Sequence, residues 1–451
     1  MSARYIPSNF TKTDNRTMKQ NSSSKPWTLG LASLLVCATL TQAADWPQYR
    51  GPNADGTSVE KLLSKTWPAA GPKVVWRRPL TDGFSSFAVS GGKAFTVVSQ
   101  NVGGVSQEVV AGLDAASGRA LWATPIGIAK YGHNGGNSGA KGNDGGDGPR
   151  TTPTVDGDNV YALSADLVLV CIDAARGQKK WARDIMKEHA GVNITWKNAA
   201  SPVIDGDLIF MAGGGPGQAL LAIDKNSGKT VWKTQDDKMT HSTPVVRDIH
   251  GVRQVIFFTQ KGLVACNVKN GAVLWRWDYR FNVSTAISPI VSGDIVYVSA
   301  GYGVGAGACK VAKTATGFEA TELWRKANEL PNHWSTPVLK DGYLYGMFQF
   351  KEYGTGPLKC VELATGKEMW SQAGFGPGNV LLVDGHLLVL GDAGQLVLVE
   401  ANPKAYNETA RATVITGKCW STPALADGKV YLRSTKEGVC LDIGSKVASA
   451  K

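Results

Sequence analysis

From about residue 85 onward, short apolar runs alternate with glycine-centred polar breaks, and both recur in a fixed order. Around Val160-Tyr161 and Val296-Tyr297, apolar and polar positions alternate with period two, which predicts half-buried β-strands. One phrase returns along the chain. It begins with a small residue, Ser or Thr, Pro and Val; continues with Asp-Gly and an aromatic two to four residues on; then runs through apolar positions into Asp-x-x-x-Gly-Lys and Leu-Trp. It is clearest at Thr152-Pro153-Thr154-Val155-Asp156-Gly157, followed by Asp173-Ala174-Ala175-Arg176-Gly177 and Lys180-Trp181. Further copies open at Ser201-Pro202, Thr243-Pro244, Ser288-Pro289 and Thr336-Pro337, and close at Trp232, Trp275, Trp324 and Trp370. The first copy runs from about Ser85 to Trp122, a degenerate one from Asn379 to about Ile415 without its Trp, and the last from Ser421 to near Ile443.

Each unit is roughly 40–60 residues, the length of a four-stranded propeller blade. The Pro opens an inner strand where no ladder N–H is needed. Asp-Gly between apolar residues is a hairpin turn, and Asp-x-x-x-Gly turns strand three into strand four. A Trp repeated once per unit, large and with one N–H donor, suits a wedge between neighbouring blades. The last copy lacks a fourth strand, and Val74-Val75-Trp76-Arg77-Arg78 has a fourth-strand pattern with no strands before it. The expected fold is therefore all-β: an eight-bladed β-propeller of four-stranded antiparallel blades over residues 74–443, its ring closed by the N-terminal strand, which removes the last sheet edge. Residues 44–73 form an extension and 444–451 a tail. Two four-bladed domains would need a linker near the middle, and the sequence has none there.

Composition supports this reading: 53 Gly and 14 Trp in 451 residues imply many tight turns. Lys19 and Lys25 precede an apolar run from Trp27 to Leu40 that ends in Thr41-Gln42-Ala43. This is the pattern of a signal peptide, residues 1–43, cleaved before Ala44; Met18 is a candidate true start. Export to the periplasm or the exterior is expected, without an integral membrane span. Removing five basic residues and one acid with the leader takes the net charge from +11 to +7. No Lys/Arg run accompanies that charge, so nucleic-acid binding is not expected. Of the six remaining cysteines, Cys171, Cys266, Cys309, Cys360 and Cys440 fall late in strand three, in one column shared with Gly112 and Ala222. Such a column asks for a small buried residue, and no disulfide framework is expected.

The Asp-x-x-x-Gly-Lys-x-x-Trp phrase resembles the tryptophan-docking motif of the quinoprotein alcohol dehydrogenases, shared with the pyrroloquinoline-quinone (PQQ)-like repeat superfamily that includes the BamB-like scaffolds. Asp45-Trp46-Pro47-Gln48-Tyr49-Arg50-Gly51-Pro52-Asn53, with Asp55-Gly56, looks like the start of secreted PQQ-like repeat proteins. For the enzymes, the resemblance implies PQQ over the propeller axis, with an adjacent Cys-Cys disulfide and a Ca²⁺ held by Glu, Asn and Asp. This sequence has no Cys-Cys pair and no such set on matching positions. The expectation is thus a ligand-binding or protein-interaction scaffold with no cofactor; the alternative is a PQQ- and Ca²⁺-dependent alcohol or sugar dehydrogenase.

In a propeller, functional groups gather where loops meet the central channel. The loops before the inner strands offer Arg150, Asn198, His241, Trp334 and Trp420, with Trp196, His333 and Lys418 nearby. Aromatic faces with a few cationic and amide donors suit a small molecule, a glycan or a protein partner. No catalytic residue is assigned, and a monomer is expected. The Gly/Asn-rich insertion from Tyr131 to Arg150 holds Asn143, Asp144 and Asp147, but without calcium-loop spacing it reads as a loop or lid. Six histidines without His-x-His or His-x-x-x-His spacing give no zinc site. Ser227-Gly228-Lys229-Thr230 lacks the first glycine of a phosphate loop, and Gly301-Tyr302-Gly303 opens no helix.

Overall fold

The computed structural model describes residues 44–131, 148–283, 285–349 and 354–447. The signal segment, Asn143, Asp144 and Asp147 of the insertion, and the end of the tail lie outside them. The described chain forms eight antiparallel blades. Blade two shows the pattern: Thr154–Asp156, Asn159–Leu163, Val168–Asp173 and Lys179–Asp184, paired in sequence order. The turns after the inner strands are tight: in blades six and eight both central residues adopt positive φ, Asp341 (51°) with Gly342 (83°) and Asp427 (50°) with Gly428 (72°), whereas in blade two only Gly157 (54°) does. Blade eight pairs Ala424–Ala426, Lys429–Arg433 and Glu437–Asp442 with the N-terminal strand Lys73–Pro79, placing Trp76 opposite Cys440. The expected ring closure is therefore present. Apolar side chains of adjacent sheets fill the space between blades; Phe95 and Val110 of blade one, for instance, meet Val160 and Val170 of blade two.

Six of the seven docking tryptophans donate the indole N–H to the strand three–four turn of the next blade. The acceptors are carbonyls of Ala115 for Trp76 (2.9 Å), Ala174 for Trp122 (3.1 Å), Lys225 for Trp181 (3.1 Å), Val268 for Trp232 (2.9 Å), Leu363 for Trp324 (2.9 Å) and Asn402 for Trp370 (2.8 Å). The turn glycine lets the indole lie flat on the backbone: a Cβ on Gly177 would stand 2.6 Å from Trp122. Trp275 departs from the pattern and donates to Gln254 within its own blade (2.5 Å). Its neighbour, blade five, has a long hairpin of Gly305–Thr314 and Gly317–Lys326 instead of the short turn. In blade seven Ala410 takes the tryptophan position. Its neighbour, blade eight, has no strand three–four turn to receive an indole, because its fourth strand comes from the other end of the chain.

The cysteine column needs a correction. Cys171, Cys360 and Cys440 do oppose docking tryptophans, with Gly112, Ala222, Ala265 and Ala308 as their equivalents. Cys266 and Cys309 sit one position further along, beyond a bulge, and so face the other side of their sheets. All six cysteines from Cys171 to Cys440 are buried and free.

A second ring lies nearer the axis. At five of the junctions the Ser or Thr before an inner strand accepts a hydrogen bond from the backbone N–H of its counterpart one blade back: Ser86 to Thr152 (3.1 Å), Thr152 to Ser201 (2.9 Å), Ser201 to Thr243 (3.0 Å), Ser288 to Thr336 (3.0 Å) and Thr422 to Ser86 (2.9 Å); blade seven carries Asn379 at this position. This belt is the physical reason for the Ser/Thr-Pro phrase.

The N-terminal extension is woven into the ring. It runs along the end of the channel where the Asp-Gly turns lie. Trp46 exchanges two backbone hydrogen bonds with Val89 of blade one, and the Pro47 carbonyl accepts from Val155 of blade two. The Arg50 guanidinium reaches the carbonyls of Thr336 and Pro337 in blade six. Thr57–Ser58 adds a fifth, parallel strand to blade seven, and Glu60–Leu62 pairs with Ser445–Val447 of the tail. No helix among the described residues is long and apolar enough to cross a membrane.

Candidate functional site

At the other end of the channel, the loops before the inner strands converge. Two residues ahead of the Ser/Thr belt stand, in blade order, Phe84, Arg150, Ala199, His241, Ala286, Trp334, Pro377 and Trp420. This column faces the axis, and its large members meet there. Phe84 stacks on Trp420 (5.0 Å between ring centres), and Trp420 stacks on Trp334 (4.9 Å). Trp334 meets its neighbour His333 edge-on (4.8 Å), and His333 meets Tyr302 edge-on (5.2 Å). Tyr302 stacks on Trp196 (6.2 Å), which contacts His241 (6.3 Å). Arg150 links the two ends of this band: it lies 5.9 Å from the Phe84 ring centre, and its charge bears on His241. The Lys418 ammonium sits 4.5 Å from the centre of the Trp420 ring.

Ala199 and Ala286 leave gaps in the column at blades three and five. Trp196 and Tyr302 fill them from irregular loops. Trp196 (φ 69°), Lys197 (61°) and Tyr302 (57°) all hold left-handed backbone that non-glycine residues avoid. Tyr302 remains 38% exposed, whereas Trp420 is 7% exposed. The band is thus buried on the blade-eight side and open to solvent on the blade-five side.

Electrostatics follow from burial. Desolvation, reinforced by the Arg150 charge, pushes His241 down to about 4, so its imidazole is neutral at pH 7. Glu108 lies beneath Arg150, takes hydrogen bonds from the Tyr131 hydroxyl (2.6 Å) and the Ala165 N–H (2.7 Å), and is raised above the usual carboxylate range by burial. Lys197 pairs with Asp166 (2.6 Å). The arrangement offers flat aromatic faces, two cationic side chains and a neutral imidazole. Among the described residues, no group of three or more His, Cys, Asp or Glu gathers as metal ligands.

Of the residues singled out from sequence, Arg150, Trp196, His241, His333, Trp334, Lys418 and Trp420 come together. Asn198 does not join them: its side chain is buried, accepts from the Ala200 N–H (3.0 Å) and donates to the Ala200 carbonyl (3.1 Å), closing its own turn. Phe84 and Tyr302 were missed. Phe84 was findable, since it precedes Ser86 by the same offset that places Trp334 before Thr336. Tyr302 sits in a strand two–three turn, which the repeat phrase does not mark.

Comparison with known proteins agrees with this architecture. The family model described as outer membrane protein assembly factor BamB matches residues 106–347 and 354–443. The outer membrane protein assembly factor BamB of Moranella endobia (strain PCIT) is 26% identical over 264 residues, 55% of this chain and 64% of that protein, so the match spans less than two thirds of the relative. Among solved structures, BamB from Moraxella catarrhalis aligns at 15% identity with a TM-score of 0.55, covering 84% of this chain and 98% of that one. Quinohemoprotein alcohol dehydrogenase from Comamonas testosteroni aligns at 12% identity with a TM-score of 0.65, covering 90% and 82%. These structural likenesses show the fold. With the family model matching most of the propeller, the chain belongs to the BamB family of PQQ-like repeat propellers.

Proposed function

We propose that this chain is an exported interaction scaffold of the cell envelope, which holds a protein or small ligand on its aromatic face and performs no chemistry of its own. The observation that carries this reading is the band from Phe84 to His241, whose exposed arc is presented on strained backbone. Strain of this kind persists where the surrounding structure over-determines it, often at binding sites. Aromatic side chains backed by Arg and Lys make strong contact surfaces at low entropic cost. The signal-like leader supports a periplasmic or surface location, and a relative named as an assembly factor of the outer membrane supports protein contacts.

Site-specific photo-cross-linkers test this reading. Placed at Tyr302 and at Trp334, they are expected to trap a discrete partner in intact cells. The outer-strand control Val231, 50% exposed, is expected to trap none. Trp196→Ala with Trp334→Ala is expected to abolish the adduct made through Tyr302. Equal trapping at Val231 would sink the proposal. So would dye-linked alcohol oxidation by the purified protein supplied with PQQ and Ca²⁺, which would favour the dehydrogenase alternative.

A further inference from the structure

The woven N-terminal segment encloses a second feature, at the opposite end of the channel from the aromatic band. A cavity of about 120 Å³ lies between this segment and the inner strands of blades four, five and six. It is lined by Arg50, Asp55, Thr57, Arg247, Ile290 and Thr336 among others. Two guanidiniums and one carboxylate face it. Arg50 is 3% exposed. Its Nη1 donates to the Thr336 carbonyl (2.6 Å) and its Nη2 to the carbonyls of Asp55 (2.7 Å) and Pro337 (2.8 Å), while its buried Nε has no partner. Arg247 donates to the carbonyls of Val246 and Asn53 (2.8 Å each). Behind Arg247, Arg253 is already matched by Asp205 and Asp248. The carboxylate that counters Arg50 and Arg247, Asp55, is partly occupied, since its Oδ1 accepts from the Thr57 N–H (2.8 Å).

Neutral carbonyls satisfy donors but do not cancel charge. Two buried cations that are hydrogen-bonded to dipoles and share one partly engaged carboxylate keep much of their desolvation cost, and that cost favours a further anion beside them. Burial depresses both arginines below their ordinary value, and each is pushed further by another cation, Arg50 by Arg247 and Arg247 by Arg253. At roughly 30 Å³ per water, the space holds about four waters. A tetrahedral oxyanion or a carboxylate group is of a size to fit this space. Guanidiniums match such oxygens in charge and in hydrogen-bond geometry.

We infer that this cavity is a binding site for one small oxyanion, of the phosphate, sulfate or carboxylate class, which clamps the N-terminal segment to blades four and six through Arg50 and Arg247. Isothermal titration of a chain beginning at Ala44, in a chloride buffer, with inorganic phosphate, sulfate or acetate in separate arms distinguishes the three sources. One saturable site is expected for at least one anion, together with a raised melting temperature. Arg247→Gln, at a half-buried rim position, is expected to weaken that binding at least tenfold while leaving the far-ultraviolet spectrum unchanged. Asp55→Asn keeps the oxygen that caps Thr57 but removes the competing charge, so it is expected to tighten binding at least threefold, a gain that a merely structural role would not produce. Absence of saturable binding in all three arms, an Arg247→Gln titration like that of the wild type, or an Asp55→Asn protein that binds no tighter would each overturn the assignment.

Discussion

His241 shows how a single residue depends on its surroundings. In an unfolded chain it titrates near 6.5; in the band, burial and Arg150 push it down to about 4. A depressed folded value means that the unfolded state binds the proton first. Stability is therefore complete above about pH 6.5 and is lost as pH falls toward 4, by on the order of 3 kcal/mol for this group. Urea unfolding at pH 7 and pH 4.5 checks this: His241→Gln is expected to flatten the decline, and an unchanged slope would exclude the residue as its source. The thiols make a second case. Burial pushes Cys360 up to about 11 and Cys266, Cys309, Cys419 and Cys440 up to about 12. All six buried thiols are expected to resist a disulfide reagent at pH 8 until the chain unfolds. Rapid labelling of any of them in the folded protein would contradict the burial argument.

Between blades, two devices act at different radii. The docking indoles join neighbours near the rim, and the Ser/Thr belt joins them near the axis. The belt is accessible to a conservative test. Thr152→Val keeps shape but leaves the buried Ser86 N–H without its acceptor, which costs about 1–3 kcal/mol. Thr152→Ser retains the hydroxyl and is expected to cost well under half of that. Equal losses in thermal melts of the two variants would show that the methyl, and not the hydroxyl, matters. The tryptophan exceptions obey the same logic. Trp275 turns inward, and Ala410 replaces an indole, where the next blade has no short turn to dock on.

For the whole molecule, closure is the governing fact. Lys73–Pro79 completes blade eight, and the segment before it crosses the channel to touch blades one, two, four, six and seven, the tail, and blade eight through the Gly428 N–H on Glu60. A chain beginning at Leu80 would leave Glu437–Asp442 as a bare edge strand, so it is expected to self-associate and to lose a single cooperative melt. A chain beginning at Ser64 keeps the closing strand and is expected to melt cooperatively at a lower temperature. Light scattering with calorimetry reads both; a Leu80 start that melts like the complete ring would refute the closure argument.

The propeller was legible in the residues themselves because each blade repeats one phrase, and each column of that phrase has a local cause: a proline where no donor is needed, a glycine where φ is positive, an indole where a neighbour offers a carbonyl. Blade number and closure by Trp76 followed from counting those columns. Most of the aromatic face followed too, because Arg150, His241, Trp334 and Trp420 share one offset from the belt. What folding alone settled is what depends on contacts between distant parts of the chain. The repeat carries no mark for Tyr302, for the turn that absorbs Asn198, or for the bulge that moves Cys266 and Cys309 to the opposite face. Least legible was the Asp45–Asn53 phrase, which occurs once. Its work is done against strands roughly 40 to 290 residues away, so its role in enclosing a charged cavity emerges only when the ring is closed around it.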